Sequence, residues 1–297
     1  MTRRVLIGSF ASLLSVGLLA QAPAGAPPQG PPAGPPMLQT QKLKDNLYLI
    51  TGGGGNSTVF VTQNNGVVVI DAKNPGVGKL LLEQIGKITT QPITMLINSH
   101  THADHTGGNV DFPETTRFVA HVNTRTNMQK MDQFQGANAR FLPTQTFQDK
   151  LSLFSGNDRI DLYYFGPGGT SGDAWIVIPA LRVMIGADDV NKGLTLIDPA
   201  NGGSPRALQG TLARVASEVK DVDSVITGHG GVMTWNEFVE YTQLTNDFYT
   251  WVRAQKAAGR TVEQATMGWQ IPAKYVGYTP TNPMFLQRIV QAVYNEP

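Results

Sequence analysis

The chain has no cysteine in 297 residues, which excludes disulfides, a lipid-modified cysteine anchor and a thiolate metal ligand. Charge is sparse as well: Asp, Glu, Lys and Arg make up 15% of the residues and sum to a net +1. There is no basic run and no interleaving of basic with aromatic residues, so a nucleic-acid groove is not expected. No internal repeat is visible. The four glycines Gly52 to Gly55 are not followed by Gly-Lys-Ser/Thr, which argues against a phosphate-binding P-loop. Only five histidines are present, and three of them fall within the six residues His100-Thr101-His102-Ala103-Asp104-His105.

The amino terminus reads as an export leader over residues 1–20. Arg3 and Arg4 form a basic region, Val5 to Leu19 an apolar core, and small residues follow, with cleavage expected after Ala20. The apolar core is short for a retained anchor and no stop-transfer flank follows it, so no stable membrane insertion is expected after cleavage. Thr2-Arg3-Arg4-Val5-Leu6 also resembles a twin-arginine signal with a very short basic region. Either route predicts a periplasmic or secreted protein. Residues 21–37 form a Pro/Gly/Ala-rich linker that cannot pack a core. The 260 residues from Leu38 onward (297 − 37) suffice for one well-packed domain.

The histidine cluster organises that domain. Ile93 to Asn98 reads as a short core strand, and Thr106-Gly107-Gly108-Asn109 cannot continue it. The cluster therefore sits at a strand's carboxyl end, where α/β sheets place ligands. His100 and His102 share one direction of an extended backbone, while Asp104 and His105 turn toward a second point. That arrangement suits a two-metal site built from oxygen and nitrogen ligands.

Other stretches point to the same rim. Val67 to Ile70 is an apolar strand ending in Asp71, placed to brace the histidine loop, and Pro75 is expected to open a helix with Val77, Leu80, Leu81 and Ile85 on one face. This strand–helix–strand order implies parallel pairing through a right-handed crossover. Gly52 to Gly55 read as a mobile hairpin loop overhanging the site, with a plain flexible turn as the alternative. His121, after Phe118 to Ala120, reads as a structural strand-end histidine. Trp175 to Ile178 and Leu181 to Ile185 form a pair of strands leading to Ala187-Asp188-Asp189, and Val222 to Ile226 leads to Gly228-His229-Gly230. Thr234 and Glu237 form a capping box for a long helix ending near Gly259, Thr261 and Gln264 a shorter one. Pro283 opens a last helix, with Met284, Ile289 and Val293 on its buried side; residues 235–297 thus form a helical extension.

His100-x-His102-x-Asp104-His105, the Gly-rich loop 166–172, Asp188 and Gly228-His229-Gly230 together resemble the metallo-β-lactamase superfamily from about Asn46 to Gly231. The resemblance implies an α/β fold, a four-layer αββα sandwich, around a one- or two-metal hydrolytic centre. It implies His100 and His102 as ligands of a first metal and Asp104, His105 and His229 as ligands of a second. Asp188 corresponds to the bridging carboxylate, with Asp189 one register away. The chain departs from the pattern at Gly169, where the family carries a histidine that ligates the first metal. Zn2+ is the implied cofactor, as one or two ions, with the second position filling first.

The reaction expected is attack by activated water on a cyclic amide or ester in a small-molecule substrate, oriented by Asp104. The first choice is β-lactam hydrolysis; lactone or other ester hydrolysis is the alternative within the fold. A non-catalytic metal- or ligand-binding protein is the alternative outside it, motivated by Gly169. Lys192 is the candidate for an anionic substrate group, with a solvated surface lysine as the alternative, and Asp71 and Asp173 are the carboxylates expected to orient histidine rings, with plain loop-capping as the alternative.

Overall fold

In a first sheet of seven strands, β1 (Gln39–Lys44), β2 (Leu47–Thr51), β3 (Ser57–Val61) and β4 (Val67–Ile70) run antiparallel in chain order. Parallel strands β5 (Ile93–Asn98), β6 (Arg117–His121) and β7 (Gln145–Phe147) continue it from β4. The second sheet contains β8 (Lys150–Leu153), β9 (Ile160–Tyr163), β10 (Trp175–Ile178), β11 (Val183–Ala187), β12 (Ser224–Thr227) and β13 (Val232–Thr234). Its neighbours are antiparallel except β11 and β12, which are parallel. This computed structural model describes residues 37–278 and 280–296; the expected leader, and all of the linker before Met37, lie outside the described residues.

Side-chain alternation explains why the central strands are apolar throughout. In β4, Val68 and Ile70 face the second sheet, while Val67 and Val69 face helix α1 (Gly78–Ile88). In β10, Ile176 and Ile178 face the first sheet. Trp175 and Val177 point outward to α4 (Pro205–Glu218) and the long α5 (Trp235–Ala257). Both sheet faces are buried, so apolar residues occupy both phases of the alternation. The result is helices outside two facing sheets, the αββα sandwich, with α2 (Ala103–Thr106) and α3 (Val122–Met128) on the first sheet's side. The carboxyl-terminal helices α6 (Val262–Gly268) and α7 (Pro283–Asn295) cover the second. No helix among the described residues is long and apolar enough to cross a membrane.

Both capping boxes form: the Thr234 hydroxyl accepts from Glu237 N–H, the Glu237 carboxylate accepts from Thr234 N–H, and Thr261 pairs with Gln264 in the same way. Two expectations need correction. Helix α1 begins at Gly78, because Gly76 at φ +79° makes a turn between Pro75 and the helix. Met284 is 72% exposed; the buried side of α7 is Leu286, Ile289, Val290 and Val293.

At the rim away from the histidine loop, Asp158 joins the two sheets. Its carboxylate, just before β9, accepts from the N–H groups of Gln63 and Asn64 (2.7 and 2.9 Å) and from Asn65 Nδ2 (2.7 Å) in the β3–β4 turn. Burial opposes the charge, but these donors prevail and hold the Asp158 carboxyl below its ordinary pKa. A depressed folded-state pKa stabilises the fold above the unfolded value of about 3.9 and loses that contribution as pH falls. Asp158→Ala should therefore cost about 1–3 kcal/mol at neutral pH. Urea midpoints of parent and variant should converge below about pH 4; a gap that widened on acidification would contradict this account.

Candidate metal centre

The carboxyl ends of β4, β5, β11 and β12 meet at one rim of the sandwich. Beyond β5, His100 is fully buried, and the single turn of α2 delivers Asp104 and His105. The loop is braced from β4: Asp71, at φ +66°, accepts from the Ser99 N–H (2.8 Å), the Ser99 hydroxyl (2.6 Å) and His105 Nδ1 (2.8 Å). With Nδ1 so engaged, His105 presents Nε2 to the interior of the site. Asn98 and Asn109 exchange side-chain amide hydrogen bonds of 3.1 and 2.8 Å, which closes the same loop from behind.

Asp188 follows β11, and His229 follows β12. Asp188 Oδ2 lies 3.5 Å from His100 Nε2 and 3.7 Å from His102 Nδ1. Its Oδ1 lies 3.1 Å from His105 Nε2 and 3.5 Å from His229 Nε2. Asp104 Oδ2 completes the second group, 3.1 Å from His229 Nε2 and 3.8 Å from His105 Nε2. Two donor triads result, His100 with His102 and Asp188, and Asp104 with His105 and His229. Asp71, His100 and His105 also cluster, but the Asp71 carboxylate is occupied by Ser99 and His105.

Imidazole nitrogens face one another at 3.0 Å (His100 Nε2, His102 Nδ1) and 3.4 Å (His105 Nε2, His229 Nε2). Two lone pairs at such distances repel unless a proton or a cation lies between them. Asp188 Oδ1 is buried and meets no hydrogen-bond donor in hydrogen-bonding geometry. Buried acceptors converging without donors are the arrangement that a cation satisfies. The electrostatics agree. Burial disfavours charge on His102, but Asp188 and Asp198 outweigh it and raise its pKa to about 10. Asp104 and Asp188 raise His229 to about 9. A field that holds protons on these rings also favours a divalent ion, which displaces them on binding. The residues present thus fit a metal.

Close backbone approach makes this geometry possible. A Cβ on Gly55 would lie 2.1 Å from the His105 ring, and one on Gly228 1.9 Å from Asp188 Oδ1. The expectation of a mobile overhanging glycine loop is corrected. Gly55 N–H donates to the Asp104 carbonyl (3.1 Å), and the fully buried Lys73 ammonium donates to the carbonyls of Ile50 and Gly55. Glycine is needed there for proximity to His105, and the loop is pinned against it.

Asp188 faces the site, whereas Asp189 turns inward and accepts from Gly169 N–H (2.7 Å). Asp173 touches no histidine; its carboxylate ties the Gly-rich loop through Gly168 N–H, Thr170 N–H and the Thr170 hydroxyl. Lys192 is exposed and lies outside the cavity over the donors. His121 caps α3 by accepting from Asn123 N–H, and its ring stacks on Tyr164 at 3.9 Å, so it belongs to the scaffold. Asp198 escaped the sequence reading: Oδ2 lies 3.2 Å from His102 Nε2, and no local spacing announces it. Its loop also covers Gly169, with Asp198 N–H donating to the Gly169 carbonyl. A Cβ at Gly169 would lie 3.1 Å from the Leu196 carbonyl oxygen and 3.4 Å from Thr195 Cγ2. A cavity of about 680 Å³ opens above the donors, with Leu194, Phe285 and Arg288 in its wall.

The profile described as "Metallo-beta-lactamase superfamily" matches residues 50–229, more than half of the chain. The metallo-beta-lactamase type 2 of Elizabethkingia meningoseptica is 26% identical over 165 residues, 52% of this chain and 64% of that protein. The 2,4-dinitroanisole O-demethylase subunit alpha of Nocardioides sp. (strain JS1661) is 25% identical over 162 residues, 53% of this chain and 48% of that one. The chain thus spans less than two thirds of either relative. Among solved structures, a stereoselective inverting sec-alkylsulfatase from Pseudomonas sp. aligns with TM-score 0.69 at 14% identity, over 87% of this chain and 50% of that one. A metallo-beta-lactamase from Pontibacter korlensis aligns with TM-score 0.60 at 18% identity, over 71% of this chain and 99% of that one.

Because Asp71 fixes the His105 ring, Asp71→Ala should weaken zinc affinity about 10–100-fold, measured by competition with a chromogenic chelator. Unchanged affinity would show that the ring is held by other contacts.

Proposed function

The chain belongs to the metallo-beta-lactamase superfamily of metal-dependent hydrolases, and we propose that it hydrolyses a small cyclic amide, in the first instance a β-lactam, with zinc as the metal. The observation that carries this reading is Asp188, a single carboxylate whose two oxygens face separate sets of histidine nitrogens. His100, His102 and Asp188 Oδ2 would hold a first ion; Asp104, His105, His229 and Asp188 Oδ1 would hold a second. The second set has three donors of its own against two, so it should fill first. A divalent ion in such a site supplies Lewis acidity and makes water nucleophilic near neutral pH.

The chain's own groups set the rest. Burial works against the Asp104 charge, but the hydrogen bond from His229 and the charge on His105 bring its pKa down to about 2. It stays ionised across the working range and can accept a hydrogen bond from water and orient it toward the carbonyl carbon. Asp198 holds the far side of His102, as Asp71 holds His105. The leader over residues 1–20 supports export, which would place the activity in the periplasm or outside the cell.

Hydrolysis of a lactone or another ester is the alternative within this chemistry, tested by turnover of acyl-lactones without turnover of cephalosporins. A binding protein without catalysis is a second reading, favoured by Gly169, which offers the first position no side chain. Turnover of a chromogenic cephalosporin that a chelator abolishes and zinc restores is the expected result; zinc-loaded protein inert toward cephalosporins and lactones alike would favour the binding reading. For Gly169→His, a side chain pressed on Leu196 and Thr195 should cost about 1–3 kcal/mol of stability. The zinc-to-protein ratio should rise by elemental analysis, and an unchanged ratio would mean that the gap in the donor set lies elsewhere.

A further inference from the structure

Helix α7, outside the span that matches the family profile, contributes Phe285 and Arg288 to the wall of the cavity that holds the metal donors. Phe285 and Arg288 stand three residues apart, on one side of the helix. The opposite side, Leu286, Ile289, Val290 and Val293, is buried in the core and fixes which side looks into the cavity. Arg288 is the only Lys or Arg in the cavity lining, and among the described residues it has no ion-pair or hydrogen-bond partner. The carboxylates around the cavity are already engaged: Asp104 with His229, Asp198 with His102 and Asn201, and Asp188 with the histidine sets. Phe285 is 48% exposed, and the half-buried Leu194 and Leu196 line the same cavity as the guanidinium and the donors.

We infer that Arg288 is the specificity-determining residue of this site, and that it reads a carboxylate or sulfate-like oxyanion on a substrate whose apolar body lies along Phe285, Leu194 and Leu196. A guanidinium offers a planar fork of donors that matches either anion with paired hydrogen bonds, and here it is free to do so. The apolar side chains beside it favour a substrate with an apolar body over one polar along its whole length. Asn191 does not compete for this role, since its side-chain amide donates to the Asp188 carbonyl (2.9 Å) and is spent on the donor loop. This inference rests on the reading that the donor cluster is the reacting centre, and it replaces Lys192 with Arg288 as the anion partner.

The test measures binding to full-length, zinc-loaded protein by calorimetry, so it does not depend on turnover. Three probes share a metal-seeking thiol and a phenyl arm: 3-phenyl-2-sulfanylpropanoate, the corresponding sulfonate, and the corresponding neutral amide. At least one anion should bind about 10–100-fold more tightly than the amide, as a charge-assisted paired hydrogen bond implies. Arg288→Met should abolish that preference by weakening the anions alone, and Arg288→Lys should retain part of it. Phe285→Ser should weaken all three probes alike. Because Arg288 is exposed and unpartnered, the melting temperature of Arg288→Met should match the parent. Equal binding of anions and amide by the parent, a preference that survives Arg288→Met, or no binding of any probe would overturn the inference. Failure to turn over cephalosporins with the anion preference intact would instead overturn only the β-lactam reading.

Discussion

The site depends on the electrostatics of one carboxylate shared by four imidazoles. Asp188 is half-buried, with Oδ1 turned fully inside, and desolvation alone would push its carboxyl up; the charges on His105 and His100 prevail and hold it well below the carboxylate range. Asp188 is therefore an anion in an interior where an uncompensated charge is costly. Its compensation comes from two separate stretches of chain, the segment after β5 that carries His100, His102 and His105 and the turn after β12 that carries His229, while Asp71 at the end of β4 holds the His105 ring in place. The fold must hold these stretches together, and the two parallel pairings, β4 with β5 and β11 with β12, bring the strands' carboxyl ends to a common edge.

Glycine and a buried lysine complete that edge from the other side. Gly55 lies against the His105 ring, and Gly228 against Asp188, at separations no side chain could tolerate. Lys73, fully buried, donates to the carbonyls of Ile50 and Gly55 and so fastens the glycine loop to the end of β2. Burial brings that ammonium down to about 7, partly offset by the charges of Asp71 and Asp104. The loop is thus held from outside, by a buried side chain that donates to one carbonyl of β2 and one of the glycine run.

Much of this was legible in the sequence, and the failures have physical causes. The spacing of His100, His102, Asp104 and His105 after an apolar strand announces the donors, because a strand end and a single turn fix their directions locally. The capping boxes follow from equally local rules, whereas the four layers come from the family resemblance and not from any local pattern. The choice between Asp188 and Asp189 was open because it turns on Ala187, which leaves the strand at φ +45° and breaks the alternation that would have decided it. The glycine run reads as flexibility, since composition reports what a backbone can do and not what it touches. Asp198 and Arg288 reach the cavity only through tertiary packing of a loop and a helix far along the chain. Lys192 was chosen for nearness in sequence to Asp188, which says little about which way a loop residue points.

Helix α7 gives the molecule a division of labour. The groups that could hold a cation sit at strand ends crowded by glycine, where a side chain at Gly55 or Gly228 would collide with a ring or a carboxylate. The far wall is a solvent-facing helical surface whose register is set by residues on its other side. Substitutions at Phe285 or Arg288 would change that wall without touching the donor groups on the strand ends. In a lineage under changing chemical pressure, the carboxyl-terminal helix would be the place where new selectivities are tried.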